Sequence, residues 1–343
     1  MRIALTADPE LPVPPRQYGG IERIVDFLAR GLERRGHEVT LFAHPGSASA
    51  GRLIAWPGAR SDSAADTARN ALTLAREAGA FDVVHSFSRI AYMLPILASP
   101  TPKLMTYQRE ISPRSVRLGH LLSGGSLWFS AISRQMMAHV SHIGAWRMVY
   151  NGAPLDRYDF RADPGPDAPL VFLGRVEAIK GPHLAIEIAR RAGLPLVIAG
   201  NVPPEHQAWF DAQVKPHLDG EQVRYVGPVD DAQKNALLGG ARALLMPIQW
   251  DEPFGIVMAE AMACGAPVLA TARGAAPEVV EHGVTGFVAE DVDGLVAAVG
   301  RLAAIDRRAC RARTERLFSD TAVVEGYLAV YDEMLAARRR KAA

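Results

Sequence analysis

Short apolar segments alternate along the chain with stretches whose hydrophobic residues recur at helical spacing. The first half contains the segments RIALTA, EVTLFA, FDVVHSF, KLMTYQ, LWFSAIS and WRMVYNG. The second half contains LVFLGRV, LPLVIAG, VRYVG, ALLMP, PVLATA and GFVAE. Alternation of strands and helices predicts parallel α/β sheets, and the two sets predict two doubly wound domains.

A segment rich in Pro, Gly and Asp, DRYDFRADPGPDAP at residues 156–169, separates the two sets of strands. Its composition is typical of an exposed linker. We therefore predict an N-terminal domain over residues 1–155 and a C-terminal domain over residues 168–321. In sheets of this type ligands bind beside the carboxyl ends of the strands, so the functional residues should lie in the loops that follow them.

The segment DEPFGIVMAEAMACG follows one of those strands and predicts a helix from Pro253 to Cys264. Proline favours the first helical position, and Gly265 suits the residue past the helix end. Glu252 then stands at the mouth of this helix and Glu260 lies inside it, about two turns along. One interpretation is that Glu252 is an N-cap and Glu260 a solvated residue, and the residues alone leave that open.

The start of this helix and a second segment together suit a phosphate ligand. Amides at Phe254, Gly255 and Ile256 would lack partners within the helix and so form an anion site. In FLGRVEAIKG, Arg175 and Lys180 come directly after the first strand of the second set. Two cations that face a helix N-terminus fit a diphosphate.

Taken in order, these motifs resemble the retaining GT-B glycosyltransferases of family GT4, over nearly the whole chain. The resemblance rests on the E-x7-E motif from Glu252 to Glu260 and on the AMACGAPVLATARGAAPEVVEHGVTGFV that follows it. It also rests on GRVEAIKG, on YGGIERIVDFLARGLERRGHEVTLFA and on VYNGAPLDRY.

The resemblance implies two Rossmann-like domains that face each other across a cleft. The N-terminal domain would bind the acceptor and the C-terminal domain the donor, with a helix at about residues 322–343 packed back on the N-terminal domain. The implied activity moves a sugar, with retention, from a UDP- or GDP-sugar to a hydroxyl of a glycan, a lipid-linked acceptor or a small molecule.

The resemblance also implies a role for each residue of the two main motifs. Arg175 and Lys180 would neutralise the donor diphosphate, helped by the amides at the helix start. Glu260 would accept hydrogen bonds from the ribose hydroxyls. Glu252 would hold the donor sugar and face the positive charge that develops at its anomeric carbon.

Glycine-containing loops supply the remaining predicted donor-binding residues. In RYVGPVD, residues 224–230, Gly227 and Val229 are expected near the base, although an ordinary turn explains the segment equally well. In QYGGIER, Gly19 and Gly20 are expected to face the phosphates, in a loop before a helix that begins near Ile21. A tight loop without a ligand would also require glycine there.

One position departs from the family pattern. Many members carry Thr-x-His at the end of a first-domain strand, whereas this chain has Gln108 after Thr106 and Tyr107. Glutamine can bond a sugar hydroxyl but cannot titrate. His85, at the end of another strand, has two interpretations: a substitute for the missing family histidine or, as we favour, a buried residue whose hydrogen bonds are satisfied.

Three other functions compete with transfer. A nucleotide-sugar-binding protein without transferase activity and a sugar-nucleotide epimerase both stay open. A nicotinamide-dependent dehydrogenase would need G-x-G-x-x-G after an early strand, and neither TADPELP nor FLGRVEA supplies it.

Asp291 and Asp293 form a D-x-D pair of the kind that holds a divalent ion in other glycosyltransferases. The pair precedes a helical segment, and we predict that it caps that helix. Since Arg175 and Lys180 already supply positive charge, we predict that no metal or other cofactor is required.

Composition sets the remaining limits. A net charge of +1 gives no general attraction to nucleic acid, and two cysteines form neither a disulfide framework nor a zinc motif. No run of 18 apolar residues occurs, so we expect a cytoplasmic protein. The basic residues 338–341 leave open a peripheral contact with the inner face of a membrane, although we favour a solvated helix face and tail.

Overall fold

The computed structural model describes residues 1–15, 19–49 and 51–342. The residues Gln17 and Tyr18 of the QYGGIER segment lie outside the described part. The chain divides into two compact units, one of Met1–Asn151 with Asp320–Ala343 and one of Gly152–Ser319. Each unit contains one parallel sheet, which confirms the predicted pair of doubly wound α/β domains.

The sheet of the first unit has seven strands within the described residues. They are β1 (Arg2–Thr6), β2 (Glu38–Ala43), β3 (Arg52–Ala55), β4 (Val83–Ser86), β5 (Lys103–Tyr107), β6 (Leu127–Ala131) and β7 (Trp146–Met148). Their order in the sheet is β3-β2-β1-β4-β5-β6-β7. The α-helices between these strands are α1 (Gly20–Arg34), α2 (Ala64–Glu77), α3 (Pro113–Ser123) and α4 (Arg134–Met137).

Strand β3 is absent from the predicted set. It lies at the sheet edge, where it pairs only with β2 among the described residues, and its four side chains are exposed or half-buried. An edge strand of this kind carries no continuous apolar run, so periodicity does not reveal it.

The sheet of the second unit has six strands within the described residues, in the order β10-β9-β8-β11-β12-β13. They are β8 (Leu170–Leu173), β9 (Leu196–Ala199), β10 (Val223–Tyr225), β11 (Ala243–Met246), β12 (Val268–Thr271) and β13 (Gly286–Ala289). The helices are α5 (Pro182–Ala192), α6 (Gln207–Gln213), α7 (Asp231–Gly239), α8 (Ile256–Ala263), α9 (Ala276–Val279), α10 (Val292–Val299) and α11 (Arg307–Leu317). Strands β8, β9, β11 and β12 are buried along their whole length, as their apolar sequences predict.

Residues 156–169 are not a free linker but part of the second unit. Tyr158 is 5% exposed, and its hydroxyl donates to Glu260 Oε1 at 2.6 Å. The Arg161 carbonyl accepts from Arg307 Nε at 2.7 Å. The prediction of a linker is therefore wrong here: most side chains of the segment are exposed, but its backbone and one aromatic ring are held by the sheet's helices.

The last helix, α12 (Asp320–Ala342), belongs to the first unit and packs on α1. Gly31 permits the close approach, because a Cβ at this position would lie 2.5 Å from a methyl of Val324. Tyr327 and Tyr331 of α12 are fully buried against His85 of β4. No helix in the described ranges combines the length and apolarity needed to cross a bilayer.

Candidate functional site

Helix α8 begins at Ile256, three residues later than predicted. The Phe254 ring is 1% exposed and packs edge-on against Phe318 at 5.5 Å between centroids, so the chain turns into the core before the helix starts. Gly255 forms the N-cap with a φ of 74°, a conformation that favours glycine. The prediction that the Phe254 amide lies within the helix N-terminus is wrong, whereas Gly255 and Ile256 do stand at its start.

Glu252 is a buried carboxylate held by two donors. Lys180 Nζ donates to Glu252 Oε2, and Trp250 Nε1 donates to the same oxygen at 3.0 Å. The Lys180 ammonium also lies 4.8 Å from the centre of the Trp250 ring, within cation–π range. The interpretation of Glu252 as an N-cap is wrong, because α8 has no side-chain cap and Glu252 is 9% exposed.

The backbone of Glu252 is fixed by the loop that follows β12. Ala275 N donates to Glu252 O at 2.8 Å, and Gly274 N donates to Asp251 Oδ1 at 3.2 Å. Gly274 has a φ of +54°, and a Cβ there would lie 2.3 Å from both N and O of Glu252. Glycine at 274 is therefore a steric requirement of the position that Glu252 adopts.

Glu260 lies on α8 and is 7% exposed, so the solvated interpretation is also wrong. Tyr158 donates to its Oε1 at 2.6 Å, and Lys234 Nζ donates to the same oxygen at 2.5 Å. Because both donors contact Oε1, the acceptor capacity of Oε2 is left for a further donor. A buried carboxylate with one oxygen neutralised and the other open is suited to bind hydroxyl groups.

Arg175 follows β8 and pairs with Glu177 at 2.8 Å. Glu177 is 3% exposed and also lies 3.2 Å from His206 Nε2, so the ion-pair partner of the guanidinium is a buried carboxylate. Lys180 follows on the same loop, whose Ile179 carbonyl accepts from Gln249 N at 2.8 Å. Among the described residues the structure thus brings Lys180 to Glu252, while Arg175 pairs within its own loop.

Glycines at three neighbouring strand ends meet in the second unit. Gly200 N donates to Gly227 O at 2.8 Å, and a Cβ on Gly200 would lie 1.8 Å from Gly174 O. Val229 is half-buried and precedes Asp230, which forms a capping box at the start of α7. Close packing therefore explains the glycine at 200, whereas a Cβ on Gly227 would meet nothing within 4 Å and glycine there suits a φ of +76°. Base binding at Gly227 and Val229 stays a prediction.

Gly19 is the N-cap of α1, which begins at Gly20, one residue before the predicted start. A Cβ on Gly19 would lie 2.6 Å from Pro15 Cβ and 2.8 Å from Glu22 Oε2. Close packing within the first unit is therefore enough to require glycine at this position, and the phosphate contact stays a prediction.

Gln108 and Asn151 exchange amide hydrogen bonds in the first unit. Gln108 Nε2 donates to Asn151 Oδ1 at 3.0 Å, and Asn151 Nδ2 donates to Gln108 Oε1 at 2.7 Å. Asn151, in the VYNG segment, is 2% exposed and was not among the predicted site residues. Gln108 lines a pocket of about 300 Å³ together with Asp8, Arg89 and Arg109.

His85 is fully buried, and both ring nitrogens have partners. Nδ1 lies 2.6 Å from the Tyr331 hydroxyl and Nε2 lies 2.6 Å from Thr106 Oγ1. Burial holds the pKa of this imidazole well below its usual value, so the ring is neutral. The interpretation of His85 as a satisfied core residue is confirmed.

Asp8 follows β1 and was not predicted as a site residue. Its Oδ1 atom is buried and has no hydrogen-bond partner among the described residues. Burial, and secondarily the charge of Glu10, raises the pKa of this carboxyl to about 6, against the opposing effect of Arg109. An unpaired carboxylate that faces a pocket costs stability and is typical of a ligand contact.

Asp8→Asn is expected to stabilise the protein at neutral pH. A folded pKa of about 6, above the usual 3.8, means that the folded state holds this proton more tightly than the unfolded state. The loss of folding stability caused by the ionised carboxylate therefore grows as the pH rises from about 4 to about 6, and it is fully present above that window. The free energy of unfolding should exceed that of the unchanged protein by on the order of 1 to 2 kcal/mol at about pH 7.5, and the difference should fade towards about pH 4.

Urea denaturation at both pH values measures this difference. The exposed Asp167→Asn serves as the control and should leave the free energy of unfolding unchanged. Equal effects of the two substitutions at about pH 7.5 would show that the Asp8 carboxylate carries no burial penalty.

The predicted cap at Asp291 is confirmed. Asp291 Oδ1 accepts from Gly294 N at 2.8 Å at the start of α10, and Asp293 pairs with Arg191 at 2.7 Å. Over residues 1–15, 19–49 and 51–342, no three His, Cys, Asp or Glu side chains are grouped as metal ligands. Metal independence remains a prediction.

Two family models of known proteins match successive parts of the chain. Residues 160–314 match the family model Glycosyl transferases group 1, and residues 18–157 match Glycosyltransferase Family 4. The glycogen synthase of Mycobacterium tuberculosis is 37% identical over 203 residues, which cover 53% of this chain and 48% of that enzyme. The chain thus aligns with about half the length of this relative.

Solved structures share the fold over nearly the whole chain. AviGT4, a glycosyltransferase involved in Avilamycin A biosynthesis, superposes with a TM-score of 0.75 at 26% identity, over 98% of each chain. The Anabaena protein Alr3699/HepE in complex with UDP-glucose superposes with a TM-score of 0.73 at 19% identity, over 97% of this chain and 100% of that one. The architecture described above is therefore that of GT-B proteins.

Proposed function

Because this chain belongs to the GT-B glycosyltransferases of group 1 and family GT4, we propose that it transfers a sugar from a nucleoside diphosphate-sugar to a hydroxyl acceptor. We further propose that the anomeric configuration is retained and that no metal ion is needed. The observation that carries the proposal is the pair of buried glutamates Glu252 and Glu260, each held by a partly buried lysine. The two carboxylates flank the start of one helix, with Gly255 between them.

Glu260 is the proposed ribose ligand. Tyr158 and Lys234 occupy Oε1, and Oε2 is then the acceptor for the ribose hydroxyls. The Lys234 ammonium is an opposite charge at hydrogen-bond distance from the buried carboxylate, so it offsets part of the cost of desolvation. Tyr158 and Lys234 therefore act as positioning residues for Glu260.

Lys180, Arg175 and the start of α8 are the proposed diphosphate ligands. The Lys180 ammonium has three N–H groups, of which one is used on Glu252. The Arg175 guanidinium forms an ion pair with Glu177, and its side chain is 36% exposed and so accessible to a ligand. The amides at the first turn of α8 add donors and a favourable dipole.

Glu252 is the proposed contact for the donor sugar. As the bond from the anomeric carbon to the diphosphate breaks, positive charge develops on that carbon and negative charge on the leaving oxygen. A carboxylate paired with a lysine can face both: Glu252 lies towards the first charge and Lys180 towards the second. The leaving phosphate oxygen can take the acceptor proton on the same face of the sugar, which gives retention.

No side chain need act as a general base in this scheme, so Gln108 in place of histidine is compatible with it. Its amide stays a predicted contact for a sugar hydroxyl. Arg175 and Lys180 supply the positive charge that a metal would otherwise bring to the diphosphate. The acceptor class, whether glycan, lipid-linked or small molecule, remains open in the proposal.

Incubation with radiolabelled UDP- and GDP-sugars in excess EDTA, with a panel of hydroxyl acceptors, tests the proposal. We expect a labelled product with the donor's anomeric configuration by NMR, together with released nucleoside diphosphate. Release of free labelled sugar at the same rate with and without an acceptor would contradict transfer. Nucleotide binding without turnover would favour the binding-protein alternative, and a product of inverted configuration would refute retention.

A further inference from the structure

Helix α3 presents an apolar face to solvent. Leu118, Leu121 and Leu122 are 51%, 77% and 48% exposed. Their spacing places them on one side of the helix, opposite the buried Val116 and Gly119. Single exposed leucines are common, but three on one helix face form a patch.

The same outer face carries cations at its N-terminal end. Arg114 and Arg117 are exposed and lie one turn before Leu118 and Leu121, so they continue the leucine stripe. The sequence PRSVRLGHLLSGGS, from the start of α3 to the beginning of β6, contains no acidic residue. The helix is therefore both apolar and basic on the side that faces solvent.

The basic end of α12 lies beside the other end of this helix. Lys341 Nζ donates to the carbonyl of Gly124, the residue that follows α3, at 3.2 Å. Arg338, Arg339 and Arg340 precede it on α12 and are exposed. Exposed cations thus flank the leucine stripe at both of its ends.

We propose that this surface, the outer face of α3 with residues 338–341, docks on a membrane that contains anionic lipids. Leucines that enter the interface bury apolar area, while arginines and lysines contact lipid phosphates. Lipid fits better than a second copy of the chain, because a symmetric contact would bring like charges together around the leucines. The inference is independent of the proposed function, since no residue of this surface is part of the donor site.

The sequence alone favours a solvated face and tail for residues 338–341. In the structure Lys341, at the end of this basic run, lies against Gly124, two residues past the exposed Leu122, which is distant in the sequence, and this favours the membrane interpretation. Neither feature alone selects a lipid surface: a basic tail suits any polyanion, and a leucine stripe suits any apolar partner. Together they match a layer that is anionic at its surface and apolar beneath.

Co-sedimentation of the full chain with vesicles tests the proposal. We expect binding to vesicles of phosphatidylcholine with phosphatidylglycerol and little binding to phosphatidylcholine alone. The double variant Leu118→Gln/Leu121→Gln should weaken binding by about tenfold or more, as should Arg338→Gln/Arg339→Gln/Arg340→Gln. Controls are Val284→Gln, which changes a 43% exposed apolar residue of the second unit, and Lys215→Gln, whose side chain is 65% exposed.

Three outcomes would overturn the proposal: no binding to anionic vesicles, equal losses in the control variants, or unchanged binding of the leucine variant. Sedimentation velocity without vesicles provides a fourth. If the protein does not bind vesicles but self-associates, and the leucine variant does not self-associate, the exposed face of α3 mediates contacts between copies of the chain. The leucine substitutions are at exposed positions, and circular dichroism checks that the variant is folded.

Discussion

Lys180→Ala is expected to lower kcat/KM about 1000-fold, the largest effect that we expect from one substitution. The variant loses a cation of the proposed diphosphate site. It also leaves Glu252, which is 9% exposed, with a buried charge and no ammonium partner. Removal of one member of a buried ion pair costs more than the pair contributes, because the remaining charge stays desolvated.

A double-mutant cycle with Glu252→Gln separates these two causes. If Lys180 acts partly through Glu252, the double variant should lose much less than the product of the two single losses. Steady-state kinetics and nucleotide affinity are measured for all four proteins, with Lys215→Ala as the control for loss of an exposed lysine. Full activity in Lys180→Ala, with its fold intact, would refute the proposed site.

Glu260→Gln is expected to weaken nucleoside diphosphate binding by about 2 to 3 kcal/mol, a factor of roughly 30 to 150. Glutamine keeps the shape of the side chain but removes the charge that Lys234 contacts and that the proposed bonds to the ribose hydroxyls require. Glu252→Gln should instead slow turnover and spare the affinity for the bare nucleotide. The two carboxylates of one motif would then have separable effects.

Deoxynucleotides make this test specific for the ribose. The unchanged protein should prefer the ribonucleotide over its 2′- or 3′-deoxy analogue, and Glu260→Gln should abolish most of that preference. Tyr158→Phe and Lys234→Met should reduce it, because each removes a donor that fixes Oε1. Equal loss of affinity for ribo- and deoxynucleotide in Glu260→Gln would mean that the damage is structural.

Sequence periodicity predicts the fold well where strands are buried. Strands such as β8 and β12 are continuous apolar runs, because in a parallel sheet both faces are covered. Strand β3 escapes the same criterion, since an edge position leaves its side chains partly in water. The start of α8 is missed for a different reason: Pro253 suits a first helical turn, but burial of Phe254 in the core delays the helix to Ile256.

The sequence predicts only those residues of the candidate site that belong to a local motif. Glu252, Glu260 and Lys180 follow from two short segments, and the structure brings Lys180 to Glu252. Tyr158 reaches Glu260 across 102 positions of sequence, and it lies in a segment whose composition indicates a linker. No local pattern can announce such a contact, because it exists only once the chain has folded.

Asp8 and Asn151 differ from Tyr158, because the sequence contains a feature that marks each of them as a candidate site residue. Asp8 comes two residues after the end of β1, and ligands of parallel sheets lie at the carboxyl ends of strands. Asn151 belongs to the VYNG segment that carries part of the family resemblance. The buried Asp8 oxygen without a hydrogen-bond partner and the bond between Asn151 and the Gln108 amide become visible only in three dimensions.

Isothermal titration of the unchanged protein in EDTA, with UDP, GDP and ADP and with the matching monophosphates, tests the central claim most directly. That claim is that Glu260, Lys180 and the start of α8 bind the ribose and diphosphate of a nucleotide donor. We expect at least one diphosphate to bind, and to bind more tightly than its monophosphate by about tenfold or more, because the second phosphate adds charge-assisted hydrogen bonds. Failure of all three diphosphates to bind, or equal affinity for each diphosphate and its monophosphate, would contradict the account.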